Sequence, residues 1–264
     1  MKTYINGFIL NIQFFTVIPI KKEVPMTKIH IERAIRTFPL LGLIQGILYA
    51  GIVYALSHWT NVSLLAIAFF LWLLTIIITG GIHLDGWMDT SDALFSFRDP
   101  KKRLEIMADP RIGAFGVLSV IVLLATKLFF IYEIIWRLEA MTYLQIIAVP
   151  LFGKLLMGMI IGLVPLAKDD GFGHLFQRAK KSSTLWMYPL YVFISLLVVV
   201  TWNEAALIPF IVMFIVTLIV YLGLRKKIIR AFGGITGDIA GASVEGVESC
   251  LWMIVWLFHY IGMG

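Results

Sequence analysis

Long apolar runs dominate the pattern of hydrophobic and polar positions along this chain, and they do not alternate with polar residues. A helix needs about 20 predominantly apolar residues to cross roughly 30 Å of hydrocarbon. Six runs meet this requirement: Thr37 to Ser57, Val62 to Gly81, Gly113 to Ile135, Tyr143 to Leu166, Leu185 to Trp202 and Ala206 to Leu224. The pattern therefore predicts an all-α, polytopic integral membrane protein.

Two further apolar segments need separate treatment. The run from Ser249 to Gly264 has sixteen residues, so it spans only if its helix begins earlier, near Gly246, or if the bilayer thins locally. The segment from Tyr4 to Ile20 is interrupted by three amide side chains and by Pro19, which is typical of an interfacial or re-entrant helix. We therefore expect six to seven transmembrane helices plus this N-terminal helix, in one membrane-embedded domain over residues 1–264.

Composition and charge agree with this interpretation. The chain is 60% hydrophobic and 14% charged, whereas about a quarter of the residues in a soluble domain are charged. Nineteen of its 22 Lys and Arg residues lie before the first run or in the loops around residues 82–112, 167–184 and 225–244. By the positive-inside bias, these segments and the N-terminus are expected in the cytoplasm, and the C-terminus outside. The net charge of +6 therefore needs no nucleic acid as a partner.

The acidic residues are also distributed unevenly. Thirteen of the sixteen Asp and Glu residues fall on the predicted cytoplasmic side, whereas a transporter normally has ionisable groups near the midplane with access from both sides. This asymmetry favours an enzyme at one membrane face. Lys127 and Lys154 nevertheless lie within predicted spans. One interpretation is that these lysines are functional charges. The alternative is a structural role, in which each lysine either extends its ammonium to the membrane interface or pairs with Glu133.

Three aspartates follow the second run directly. The i, i+4, i+7 spacing of Asp85, Asp89 and Asp92 places them within an arc of roughly 60° on one helix face. Mg²⁺ prefers carboxylate and water oxygens and often takes further ligands from substrate phosphates. The alternative is a solvated acidic helix start stabilised by the helix dipole. Three acids on one stripe directly after an apolar span favour the metal site.

A second polar segment precedes the third run. Glu105 and Asp109 again have i, i+4 spacing, and Pro110 and Gly113 force a sharp turn into the span. Three arginines in and near this segment can hold phosphate oxygens bidentately, namely Arg98, Arg103 and Arg111. Juxtamembrane anchoring and ordinary i, i+4 pairing are the alternative interpretation.

A third segment, from Gly233 to Glu248, combines glycines with acids. Successive glycines let backbone amides turn inward to form an anion-binding nest, and Asp238 can add a cation ligand. Glu245 and Glu248, at i+7 and i+10, can extend the helical face of Asp238. Small residues also permit close helix packing, which is the expected role of Gly42 with Gly46.

Together, these segments resemble the cobalamin synthase family, the adenosylcobinamide-GDP ribazoletransferases of vitamin B12 assembly. The first motif of this family, Gly-Gly-x-His-Leu-Asp-Gly followed by two more aspartates, is met by Gly80 to Asp92. The second, Leu-Glu-Ile-Met…Asp-x-Arg-Ile-Gly, is met by Leu104 to Gly113. The third, Gly-Gly-x-Thr-Gly-Asp…Gly-Ala…Glu…Glu, is met by Gly233 to Glu248. It implies condensation of adenosylcobinamide-GDP with α-ribazole or its 5′-phosphate. The implied products are adenosylcobalamin or its 5′-phosphate, and GMP.

The resemblance also implies a site, with Mg²⁺ as cofactor. The metal ligands are expected to be Asp85, Asp89, Asp92 and Asp238. The catalytic set is Asp109 as candidate base and Arg111 as phosphate clamp, together with Glu105, Asp238, Glu245 and Glu248. The remaining binding residues are Gly233, Gly234, Thr236, Gly237, Arg103 and His83, and His83 is expected to hydrogen-bond rather than to ligate a metal, because no second histidine lies at ligand spacing.

The expected protein is a single catalytic domain embedded in the lipid bilayer of the inner membrane, with its active site facing the cytoplasm. Whether it forms a homo-oligomer is left open. Two alternatives remain: another membrane phosphoalcohol transferase, and a corrinoid or small-anion transporter that uses Lys127 and Lys154.

Overall fold

The computed structural model describes residues 2–261, and this part of the chain is almost entirely helical. Its helices are α1 Lys2–Phe15, α2 Lys28–Arg36, α3 Phe38–Trp59, α4 Leu64–Thr79, α5 Ile82–Phe95, α6 Pro100–Met107, α7 Ala114–Trp136, α8 Ala140–Leu163, α9 Gly171–Ala179, α10 Tyr188–Trp202, α11 Leu207–Phe232 and α12 Gly237–Ile261. The predicted all-α fold class is confirmed.

Six helices of the described chain are long and apolar enough to cross a membrane: α3, α7, α8, α11, α12, and α10 with the 3-10 turn before it. The protein is therefore a multi-pass membrane protein. Most of α8 is buried inside the bundle, whereas α10 is largely exposed. Gly42 and Gly46 of α3 lie so close to α8 that a Cβ at either position would overlap the backbone near Ile147 and Pro150. The expected packing role of these two glycines is confirmed.

The helices α4 and α5 form a pair bent by 84°. The bend occurs at Gly80 and Gly81, whose φ values of 62° and 74° are rarely adopted by residues that carry a side chain. The sixteen residues of α4 extend for roughly 24 Å, which is most of the hydrocarbon thickness. We therefore interpret α4 as a seventh crossing and α5, with its three aspartates, as a helix at the membrane face.

The last span begins earlier than the sequence predicted. Helix α12 starts at Gly237 and has 25 residues, so the earlier start that a spanning helix needs is confirmed, and it lies before the expected position near Gly246; residues 262–264 of that run lie outside the described residues. The reason is that Glu245 lies inside the bundle, where its charge is paired. A charged residue lowers the hydropathy of a segment without ending its helix.

The N-terminal helix α1 has fourteen residues and packs against α2. The side-chain amide of Asn11, buried between them, donates hydrogen bonds to the Ala34 carbonyl and to the Thr37 hydroxyl, both at 2.9 Å. This contact explains one of the amides that interrupt the apolar pattern. At its end, Phe15 contacts the rings of Phe38 and Phe172, so α1 covers the loop side of the bundle.

Seven crossings require the two ends of the chain to lie on opposite sides of the membrane. We expect an N-terminal reporter fusion to be active in the cytoplasm and a C-terminal fusion to be active outside, because the basic loops favour the cytoplasm. Paired reporters that work only on one side measure this directly. Activity of both fusions in the same compartment would mean that α4 does not cross.

Candidate active site

The candidate site is built where α5 crosses α12. At Gly86 of α5, an added Cβ would lie 2.6 Å from the Asp238 carbonyl oxygen, and at Gly241 of α12 it would lie 3.2 Å from the His83 Cα. Close approach of the two helices therefore depends on the absence of side chains at these positions. Because Asp85 and Asp89 flank Gly86, the crossing brings both of them towards Asp238.

The aspartates repel one another electrostatically. Partial burial, followed by the charges of Asp85, Asp238 and Asp92, raises the pKa of Asp89 to about 6. Neighbouring carboxylates favour the protonated form of one member of such a group, and a bound cation would remove that repulsion. The structure thus brings the predicted aspartates of α5 together with Asp238, which is distant in sequence.

Asp92 has a second role that the sequence analysis missed. Its two carboxylate oxygens accept hydrogen bonds from the backbone amides of Gly113 and Gly116, each at 2.8 Å. These amides belong to the start of α7, where an acidic side chain is stabilised by the helix dipole. The sequence signal for this role was the pair Gly113 and Gly116, because the absence of side chains at these positions leaves room for the Asp92 carboxylate. The role of Asp92 as a metal ligand stays a prediction.

The donor set of the cluster fits a magnesium ion chemically. Carboxylates are the protein ligands that Mg²⁺ prefers, and the ion usually keeps several waters and takes substrate phosphates as further ligands. Within residues 2–261, no three His, Cys, Asp or Glu side chains converge closely enough to hold a metal ion by themselves. The magnesium site at this cluster therefore stays a prediction.

Behind the aspartates lies a group of charges buried among the spans. The Lys127 ammonium of α7 is 2.5 Å from a Glu245 carboxylate oxygen of α12 and 3.8 Å from one of Glu248. The Lys154 ammonium of α8 is 3.0 Å from the His83 Nε2 of α5, and both residues are buried. We call Lys127, Lys154, Glu245, Glu248 and His83 the buried charge cluster. It connects four helices.

This cluster corrects one expectation. The suggested pair of Lys127 or Lys154 with Glu133 was wrong, because Glu133 accepts from Arg137 at 3.2 Å, four residues along the same helix. Glu245 and Glu248 do share a helix with Asp238, as predicted, but their carboxylates point to the lysines. Their catalytic role and the binding role of His83 stay predictions.

The second predicted segment lies in the loop between α6 and α7. The Arg111 guanidinium donates to both carboxylate oxygens of Asp109, at 2.9 and 2.6 Å, and these bonds lower the pKa of Asp109 to about 2. A base with such a low pKa is weak at neutral pH. The Arg111 side chain is 87% exposed, so it is accessible to a phosphate group.

The other two members of this segment are engaged elsewhere. The exposed Glu105 pairs with Lys102 at 2.7 Å. Arg103 donates to the Ala231 carbonyl of α11 at 3.1 Å and lies beside the Phe232 ring. Arg103 thus connects α6 to α11, and its binding role stays a prediction.

The glycine-rich segment joins α11 to α12. Gly233 ends α11 with a φ of 77°, and Ile235 donates its amide to the Pro165 carbonyl at 2.8 Å. The Thr236 hydroxyl accepts from the Ile239 amide at 3.2 Å and so caps α12. A Cβ at Gly234 would overlap the backbone of residues 165–166. Gly234 therefore serves close packing, whereas Gly233, where a Cβ would meet no atom within 4 Å, provides the left-handed end of α11. The anion nest around Gly233, Gly234 and Gly237 stays a prediction.

Sequence analysis also missed Lys168, a cation beside the aspartate cluster. Its ammonium donates to the Leu104 carbonyl at 3.1 Å, and its charge acts on the Asp238 carboxylate. A single lysine in a loop carries no motif, so no sequence signal pointed to it.

Comparison with known proteins identifies the family of this chain. The family model CobS, Cobalamin-5-phosphate synthase, matches residues 7–256. The chain belongs to the cobalamin-5-phosphate synthase family. It is 37% identical over 270 residues to the adenosylcobinamide-GDP ribazoletransferase of Geobacillus thermodenitrificans (strain NG80-2), with 100% of both chains covered. No solved structure matches.

Two further relatives carry the same name. The protein of Halalkalibacterium halodurans (strain ATCC BAA-125 / DSM 18197 / FERM 7344 / JCM 9153 / C-125) is 34% identical, with 98% of each chain covered. That of Clostridium botulinum (strain Kyoto / Type A2) is 32% identical, with 93% of this chain and 95% of its own covered. The family resemblance of the sequence motifs is therefore confirmed.

The buried charge cluster predicts a specific stability pattern. Lys127→Met leaves Glu245 buried without its partner, which should cost about 3–5 kcal/mol. The double variant Lys127→Met/Glu245→Gln removes both charges and should recover most of this loss. Thermal unfolding of the purified protein measures both effects. Arg137→Met, which breaks a partly exposed pair, is the control and should cost under about 1 kcal/mol; equal losses for the Lys127 and Arg137 variants would contradict the prediction.

The close crossing of α5 and α12 predicts sensitivity to a single methyl group. Gly86→Ala should lower the unfolding temperature, because the new Cβ must push Asp238 away and overpacking costs about 1–3 kcal/mol. Gly51→Ala is a matched control inside α3, where a Cβ meets no atom within 4 Å. It should be neutral or slightly stabilising, since Ala is the better helix former. A neutral Gly86→Ala would show that the helices are not held at this distance.

Proposed function

We propose that this chain is an adenosylcobinamide-GDP ribazoletransferase that acts in the late part of cobalamin biosynthesis. It transfers the cobinamide phosphate of adenosylcobinamide-GDP to α-ribazole or α-ribazole 5′-phosphate and releases GMP. The observation that carries the proposal is the meeting of Asp85 and Asp89 with Asp238 at one helix crossing. These residues come from two of the three segments that resemble the family.

The reaction forms a bond from a ribazole hydroxyl oxygen to the phosphorus next to cobinamide, and it breaks the bond from that phosphorus to the oxygen that leaves with GMP. Such transfers depend mainly on positioning and on charge stabilisation. A magnesium ion held by Asp85, Asp89 and Asp238 would offset negative charge on the phosphate oxygens. The aspartates therefore fix where the phosphates bind.

The exposed Arg111 and the partly exposed Asp109 supply a phosphate-binding group and a candidate base for this step. A phosphate that draws the Arg111 guanidinium away from Asp109 gains a bidentate partner. The same movement removes the bonds that lower the pKa of Asp109, so its carboxylate becomes a better acceptor for the hydroxyl proton. Lys168, beside Asp238, is placed to bind a further phosphate oxygen.

We propose that the site faces the cytoplasm from the inner membrane, since the loops that carry it also carry most of the basic residues. The transporter alternative was motivated by Lys127 and Lys154. Both take part in the buried charge cluster, which accounts for their presence in the spans without transport. The match to the cobalamin-5-phosphate synthase family over residues 7–256 supports a ribazole substrate over a different alcohol or lipid.

Release of GMP from adenosylcobinamide-GDP by the purified protein tests this function, with α-ribazole present or absent and with Mg²⁺ present or chelated. We expect GMP only when α-ribazole and Mg²⁺ are both present. Asp89→Asn should lower the rate by about 100-fold or more, because it removes a ligand charge at almost constant volume.

The matched control is Asp99→Asn, since Asp99 is an exposed helix cap of α6 that accepts from the Lys101 and Lys102 amides. It should retain nearly the full rate. Wild-type turnover by Asp89→Asn at limiting Mg²⁺ would exclude Asp89 as a ligand. A wild-type protein that folds but releases no GMP would overturn the proposed function.

A further inference from the structure

A cavity of about 720 Å³ lies between α5, α7, α11 and α12. Its α5 wall includes Trp87, Thr90 and Leu94. At 100° per residue, these positions lie on the side of the helix opposite to Asp85 and Asp89. The cavity is therefore separate from the aspartate site and lies beneath the helix that carries it.

The depth of the cavity matches one leaflet of a bilayer. Its walls extend from Phe115 to Thr126 on α7 and from Ile239 to Cys250 on α12. Each distance is about 16 Å at 1.5 Å per residue, which is close to half of the roughly 30 Å hydrocarbon core. Both walls start near the first residues of their helices. The cavity therefore runs from one membrane face to about the midplane.

The cavity is also open to the side. The α7 residues Phe115, Leu118 and Val122 line it, yet they are 52%, 59% and 65% exposed. Such residues face hydrocarbon when α7 is embedded in a bilayer. The occupant can therefore enter from the membrane without passing through water.

A positive charge lies in the membrane-face half of this apolar space. On α11, the wall runs from Val220 through Leu224, Lys227 and Ile228 to Phe232. Lys227 is exposed, and within residues 2–261 it takes part in no salt bridge. Arg225, Lys226 and Arg230 lie on the same end of the helix. Basic residues between spans, next to a membrane face, attract anionic lipid head groups.

We propose that the cavity binds one acyl chain of an anionic phospholipid, whose phosphate is held by Lys227. The apolar walls match the chain, the depth matches one leaflet and the charge matches the head group. A second copy of the protein would also cover apolar surface, but neither the leaflet depth nor the lysine at the mouth would then be explained. This inference does not depend on the proposed function.

The test uses the full chain, purified in detergent with dioleoylphosphatidylglycerol and dioleoylphosphatidylcholine in equal amounts, and counts the lipid that remains bound. Ser119→Phe places a ring in the cavity from the α7 wall. Its matched control is Ile121→Phe, two residues further on, where the side chain is 57% exposed and lies outside the cavity lining. Lys227→Gln removes the charge at the mouth, and Lys226→Gln is its control.

We expect the wild type and both controls to retain phosphatidylglycerol in preference to phosphatidylcholine. Ser119→Phe should lose the retained lipid, and Lys227→Gln, which changes only an exposed side chain, should weaken the preference by about fivefold, the effect of one basic residue near an anionic surface. Equal retention by Lys227→Gln and Lys226→Gln would overturn the proposal. So would a wild-type dimer that Ser119→Phe converts to monomers, because a second copy would then be the occupant.

Discussion

The ion pair between Lys127 and Glu245 is the constraint on which the rest of the arrangement depends. An isolated charge inside a membrane protein is costly, and burying a pair is tolerated only when each member finds its partner. Here the partners come from α7 and α12, so the pairing fixes which faces of these two spans meet. A second buried contact, between Lys154 of α8 and His83, holds the first turn of α5, two residues before Asp85.

The position of the aspartates follows from that constraint together with two glycines. Gly80 and Gly81 turn the chain by 84°, which takes α5 out of the direction of α4 and across α12. Gly86 then lets the two helices approach until Asp238 lies beside the aspartates of α5. A hydrophilic site is thus assembled from segments that are distant in sequence. Its carboxylates are ligands of the kind that Mg²⁺ combines with substrate phosphates, which suits the proposed transfer.

Local patterns in the sequence predicted the crossings and the face of α5 that carries Asp85 and Asp89, because both depend on neighbours along one helix. Features that depend on distant partners were missed. Lys127 pairs with a residue 118 positions away, and the nearer Glu133 was the wrong choice. The start of α12 at Gly237 was missed because the charged Glu245 interrupts the apolar pattern, although its charge is paired with Lys127 inside the bundle. The association of Asp238 with α5 was expected from the predicted position of both segments on the cytoplasmic face and from the family resemblance.

The two faces of α5 explain why this chemistry belongs in a membrane. A free helix of fourteen residues is marginal in water, so α5 must gain its stability from packing. One face presents carboxylates to water, and the opposite face covers the cavity that opens to the hydrocarbon. An acyl chain in that space contributes van der Waals contacts to the α5 wall rather than a hydrophobic transfer energy, because the chain already lies in hydrocarbon. With lipid bound as proposed, the bilayer becomes part of the support that holds Asp85 and Asp89 in place, so a reaction on water-soluble phosphates can depend on the membrane beneath it.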